Sequence, residues 1–155
     1  MKIQDILQKN SILIDLNSTD KQEVLSQMAQ FMTSLYDLPN AESIGQKILE
    51  RESDMSTGIG YGIAIPHARI TGIDRLYMVA GRSDKGIEFN AIDEQPVQLI
   101  FMMISPTNTS TDHTQILSSL SRIMSYEEVR RKLLTAESPE NFQDIIIKSE
   151  NKYVE

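Results

Sequence analysis

An α/β domain is the fold class that the sequence predicts, and three observations carry the prediction. Apolar stripes of helical period alternate with short apolar runs along the chain. Two of those runs, residues 76–81 (LYMVAG) and 97–104 (VQLIFMMI), are almost uninterrupted, the signature of strands buried on both faces. The length of 155 residues suits one domain with one substantial core.

From the N-terminus, Ile3, Ile6 and Leu7 lie at helical spacing and predict a short opening helix. Residues 11–16 (SILIDL) alternate Ile12, Ile14 and Leu16 and read as a strand. Thr19 and Gln22 form a capping-box pair ahead of Val24, Leu25, Met28, Phe31, Met32 and Leu35, so the first long helix is expected over residues 20–36. Pro39 fits the break after Leu38. A second helix over 41–51 rests on Ile44, Ile48 and Leu49 and delivers the chain to a glycine-rich stretch. Between the two apolar runs, residues 83–96 carry Gly86, Asn90, Asp93 and Pro96 and read as a loop or a short edge strand. Residues 107–112 have the composition of a loop ending in a helix cap, which puts His113 in the first turn of a helix striped by Ile116, Leu117, Leu120, Ile123 and Met124. Helices near 127–134 and 139–147 complete the pattern. The domain is expected over residues 1–148, with 149–155 as a frayed tail.

Composition closes several functional classes. A formal net charge of -7 opposes non-specific attraction to nucleic acid or to an anionic membrane surface. No cysteine is present, so disulfides and thiolate metal sites are excluded. The start, Met1-Lys2-Ile3-Gln4-Asp5, turns polar too soon for a signal peptide, and no apolar run approaches the ~20 residues of a membrane span. A cytoplasmic protein without membrane insertion is expected. Met102 and Met103 belong to a core strand, and Glu127-Glu128 with Arg130-Arg131-Lys132 to a solvated helix face.

Chemistry concentrates in Ser56-Thr57-Gly58-Ile59-Gly60-Tyr61-Gly62-Ile63-Ala64-Ile65-Pro66-His67-Ala68-Arg69. A neutral imidazole attacks an electrophile without a base to deprotonate it first, so His67 is a candidate nucleophile. Glycines at alternate positions 58, 60 and 62 let a ligand approach the main chain. Their N–H groups, the hydroxyls of Ser56 and Thr57, and the guanidinium groups of Arg51 or Arg69 suit phosphoryl oxygens. Neither GxxxxGK[ST] nor GxGxxG is present, so the phosphate is expected to arrive attached to another molecule rather than in a bound nucleotide. The two histidines lack HxxxH or HExxH spacing, and no metal is expected.

The string STGIGxGIAIPH followed by a basic residue resembles the active-site segment of enzyme IIA domains of the bacterial phosphotransferase system, in the fructose, mannitol and nitrogen-regulatory branch. Arg51-Glu52 is similar to the family's upstream RE pair. FNAIDEQPVQLIFMMISP, residues 89–106, looks like its strand-loop-strand segment, and His113-Thr114-Gln115-Ile116-Leu117 resembles its HxxxL helix start. Ala68-Arg69 stands where glycine and lysine often occur, a departure that keeps the positive charge. The resemblance extends over nearly the whole chain.

The resemblance implies a three-layer sandwich, a mixed β-sheet flanked by helices on both faces. It implies that His67 is the phosphorylated residue, reacting through Nε2, and that His113 and Arg51 lie close enough to position the phosphoryl group. Nδ1 of His67 would then need an acceptor such as a backbone carbonyl. The donor implied is an HPr-like phosphocarrier protein, and the acceptor is a IIB component for fructose- or mannitol-type sugar uptake; the alternative is a nitrogen-regulatory protein whose phosphorylation state changes which partners it binds. No IIB or IIC domain is fused within these residues, which leans towards regulation. No metal or nucleotide cofactor is required. An apolar rim including Ile59, Tyr61 or Ile63 is expected to dock the partners.

Overall fold

The computed structural model describes residues 1–108 and 110–154. Helix α1 (Ile3–Ile6) and a 3-10 turn (Lys9–Ser11) lead into β1 (Ile12–Leu13), followed by α2 (Lys21–Leu35) and α3 (Ala41–Asp54). Three short strands come next: β2 (Gly58–Gly60), β3 (Ile63–Ala64) and β4 (His67–Ile70). The long pair β5 (Tyr77–Ile87) and β6 (Val97–Pro106) precedes α4 (Ser110–Met124), α5 (Glu127–Leu134) and α6 (Pro139–Tyr153). The strands form one mixed sheet in the order β1-β5-β6-β3-β2, with β4 also paired to β6. β5 and β6 are antiparallel, whereas β3 and β4 run parallel to β6.

Period-two alternation on these strands builds two cores. Leu99, Phe101 and Met103 of β6 face α1, α4, α5 and α6, where they meet Ile3, Ile116, Leu120 and Phe142. Ile100, Met102 and Ile104 face the other way, onto Val24, Met28, Ile44 and Ile48 of α2 and α3. Helices therefore cover both faces, as the uninterrupted apolar runs require.

Several boundaries differ from expectation for physical reasons. Asp20, rather than Thr19, caps α2, accepting a 2.9 Å bond from the Glu23 amide. The first strand is shorter than residues 11–16, although Leu16 N still bonds Arg82 O at 3.0 Å and keeps the chain beside β5. β5 continues into the start of the polar segment expected as a loop or a short edge strand, through an irregular stretch between Arg82 and Ile87 where Gly86 has φ 83°. Residues 110–112, expected to end a capped loop, already belong to α4, which places His113 at its fourth residue; Thr109 and Glu155 lie outside the described residues.

The expected tail is mostly helix. α6 runs to Tyr153 because its last turns are held on both sides. Glu150, 2% exposed, accepts from the amides of Ile3 at 2.6 Å and Gln4 at 3.1 Å. Tyr153 stacks on Tyr126 with ring centroids 3.7 Å apart.

Candidate active site

His67 opens β4, and its position is set by the strand it joins. Met103 N bonds Pro66 O at 2.9 Å, and His67 then pairs with Met103 and Arg69 with Ser105 in parallel register. Alternation along β4 buries Ala68 and Ile70 and leaves His67 and Arg69 on the opposite side of the strand. Across from them, α4 brings His113 to within 5.2 Å of His67, centroid to centroid, with the rings edge-on at 71°.

The two imidazoles share a shallow depression of about 410 Å³. Arg69 and Ala68 of β4 and Lys47, Glu50, Arg51 and Asp54 of α3 complete its lining. A groove of about 490 Å³ between α2 and α3 holds neither histidine. Three of the lining side chains are cationic and two are anionic, so the depression keeps a positive balance that suits a group carrying negative charge despite the acidic chain as a whole. Arg51 is steadied by donating from a guanidinium nitrogen to Met55 O at 3.0 Å, at the end of α3.

Ring protonation follows from the neighbours. His67 Nδ1 lies 2.7 Å from Ile65 O, and a carbonyl only accepts, so Nδ1 carries the proton and the Nε2 lone pair is free. Burial lowers the pKa of His67; the bond to the Ile65 carbonyl opposes that shift, Arg51 and Arg69 add to it, and Glu52 opposes it. His113 falls further, to about 4, through burial first and then the charges of Arg69 and His67. Both rings are thus neutral near pH 7.

The glycine-rich run has a different task from the one its composition suggests. Ser56 Oγ donates to Phe89 O at 2.8 Å, Thr57 N and Oγ1 donate to Glu52 at 2.8 and 2.5 Å, and Gly58 N donates to Ser56 Oγ at 3.2 Å. These groups are spent on the protein's own backbone and carboxylate, and Ser56, Thr57 and Gly58 do not line the depression. β2 and β3 form a hairpin whose two turn residues, Tyr61 and Gly62, have φ 59° and 77°, the positive pair that a tight hairpin favours. At Gly58 a Cβ would lie 2.6 Å from that of Ala91, so the close approach there is to the chain itself. Of the expected apolar rim, Ile59 and Tyr61 are exposed, whereas Ile63 is wholly buried beside β6.

Of four further contributors, Lys47, Ser105 and Lys21 were not singled out from the sequence, and Glu52 was noted only as the companion of Arg51. Lys47 approaches from α3. Ser105 sits inside an apolar strand, wholly buried, with Oγ 2.5 Å from His113 Nδ1. Glu52 and Lys21 form a 2.9 Å ion pair, and Lys21 also donates to Phe89 O at 3.0 Å. That network holds Thr57, whose carbonyl accepts from Ile65 N at 3.1 Å, and so fixes the residue that orients His67.

A family model described as phosphoenolpyruvate-dependent sugar phosphotransferase system, EIIA 2, matches residues 5–149. The fructose-specific EIIABC component of Bacillus subtilis is 37% identical over 146 residues, which make up 94% of this chain and 23% of that protein. The fructose-specific EIIA component of Haloferax volcanii is 46% identical over 99 residues, 64% of each chain. This chain thus covers less than two thirds of either relative. Among solved structures, the nitrogen regulatory protein IIA-Ntr from Neisseria meningitidis superposes with a TM-score of 0.87 at 29% identity, covering 93% of this chain and 98% of that one. Among the described residues no helix is long and apolar enough to cross a membrane. With the family model spanning both histidines and the whole sheet, this chain belongs to the EIIA type 2 family of the phosphoenolpyruvate-dependent sugar phosphotransferase system.

Proposed function

We propose that this protein is a cytoplasmic phosphocarrier in which His67 accepts a phosphoryl group from the phosphohistidine of an HPr-like protein and passes it to a IIB component of fructose-type sugar uptake. The observation that carries the reading is the 2.7 Å bond from His67 Nδ1 to Ile65 O, which leaves a neutral Nε2 lone pair. That lone pair attacks phosphorus. The P–N bond to the donor ring breaks as the new N–P bond forms, and the electron pair returns to the donor imidazole. The His67 ring becomes cationic while it holds the group, and a charged donor strengthens the bond to Ile65 O. Arg51, Arg69 and Lys47 offset the phosphoryl charge from the walls of the depression, and His113 stands beside it. Onward transfer reverses the same steps towards the acceptor's nucleophile. Ile59 and Tyr61, exposed on the hairpin, are proposed to belong to the rim that partners grip.

A second reading is favoured by the near end-to-end superposition on a nitrogen regulatory protein. Here the same chemistry at His67 serves to change which regulatory proteins are bound.

Incubating the chain with enzyme I, the carrier and phosphoenolpyruvate tests the shared chemistry through an acid-labile mass increase of one phosphoryl group. His67→Ala is expected to take up none; labelling equal to the parent's overturns the assignment. Discharge of the phosphorylated form by a fructose-type IIB protein supports the transport role, and no discharge by any IIB favours regulation.

A further inference from the structure

His113 needs a ring proton on the correct nitrogen if it is to donate a hydrogen bond to a phosphoryl group. Its Nδ1 is turned to the buried strand β6, where Ser105 Oγ lies 2.5 Å away, so Nε2 is the ring nitrogen left to the depression. A neutral imidazole donates through one nitrogen and accepts through the other. Among the described residues, the serine hydroxyl makes no other side-chain hydrogen bond. If Nδ1 carried the proton, the serine proton would be stranded in a site with no access to water, and the Nε2 lone pair would face phosphoryl oxygens and repel them. If the hydroxyl donates to Nδ1, every polar hydrogen is used and Nε2–H faces outward.

We propose that Ser105 is a positioning residue for phosphoryl transfer: by donating to Nδ1 of His113 it sets that ring as an Nε2–H donor towards the phosphoryl group on His67. The two histidines then hold opposite tautomers 5.2 Å apart. Ile65 O draws the proton of His67 to Nδ1 and leaves a nucleophile, while the Ser105 hydroxyl pushes the proton of His113 to Nε2 and leaves a donor. One strand supplies both geometries, because Met103 and Ser105 are the β6 partners of His67 and Arg69. A hydrogen bond to phosphate strengthens as the bridging N–P bond forms or breaks, so the expected benefit lies in rate. The proposal rests on His67 being the phosphorylated residue.

The chain has two histidines, so ring nitrogens are readily assigned by long-range proton–nitrogen NMR of the parent and His67→Ala. At pH 7.5 His113 is expected as the Nε2–H tautomer and His67 as Nδ1–H; His113 found as Nδ1–H overturns the proposal without recourse to any variant. Ser105→Ala is expected to mix the His113 tautomers and to slow the initial rate of phosphorylation about tenfold, the scale of one hydrogen bond to a charged group. Its final extent of labelling is expected to stay at one group. Ser105→Thr, which keeps the hydroxyl, is expected to restore both tautomer and rate. A slowed Ser105→Ala with an unchanged His113 tautomer shows a structural role and sinks the idea, as does an unchanged rate. Failure of the carrier reading shows separately, as undiminished labelling of His67→Ala.

Discussion

At His113 the imidazole sits between a buried serine and the His67 ring, and its pKa is held at about 4, against 6.5 for an ordinary histidine. Between those values the unfolded chain binds a proton that the folded chain refuses. Stability is therefore full above pH 6.5 and declines as pH falls through that window, levelling below about 4. His67, also lowered, acts in the same direction. Replacing His113 by Gln removes one titrating group, so thermal denaturation of His113→Gln is expected to lose less between pH 7.5 and pH 5 than the parent does. Equal losses would mean that His113 is protonated in the folded state. His67 could be singled out from sequence because its motif is long and local. The partner hydroxyl of Ser105 could not, because nothing in an apolar run of residues says which ring its one polar member meets.

The β2–β3 hairpin shows why a glycine pattern is ambiguous when read alone. Alternate glycines suit phosphate approach and suit a tight hairpin equally well, since both exploit backbone without Cβ. Here Tyr61-Gly62 takes the turn, and Gly58 lets the loop at Ala91 pass close by. Ile92 N bonds Gly58 O at 3.2 Å, so the two segments are also joined by backbone. A methyl group at position 58 would fall 2.6 Å from the Ala91 Cβ and 2.9 Å from its Cα. Gly58→Ala is expected to cost about 1–3 kcal/mol in urea denaturation, the usual scale of overpacking. The double variant Gly58→Ala with Ala91→Gly should regain part of that loss. If it regains nothing, the contact with the Ala91 methyl group is not the cause. Helices were legible at this scale because their stripes are local; β2 and β4 were not, being short strands that exist through pairing with β3 and β6.

Across the molecule, β6 is the element from which the fold could be read. Its six apolar residues in succession, Leu99 to Ile104, demanded cover on both faces, and the helices supply it in two separate cores. What the composition of residues 149–155 concealed was Glu150, a charged residue that reads as solvent-facing until its partners 147 and 146 positions away are known. Ending the chain at Lys148 removes that carboxylate and the Tyr153 ring stacked on Tyr126. Two amide donors of α1 and one aromatic contact are lost, so a drop of about 2–5 kcal/mol in unfolding free energy is expected, with a matching fall in midpoint. A truncated chain as stable as the parent would make the last turns of α6 dispensable. The bond between Ile3 and Glu150 also bears on biosynthesis. At translation rates of about 5–20 residues per second, the opening helix is made many seconds before its acceptor exists. Phe142, which packs 6.3 Å from Phe101, arrives nearly as late. A nascent chain stalled before α6 would carry a finished sheet over which α1, α4 and α5 could already pack, but the part of that face around Phe101 would lack the cover of Phe142 and Ile146.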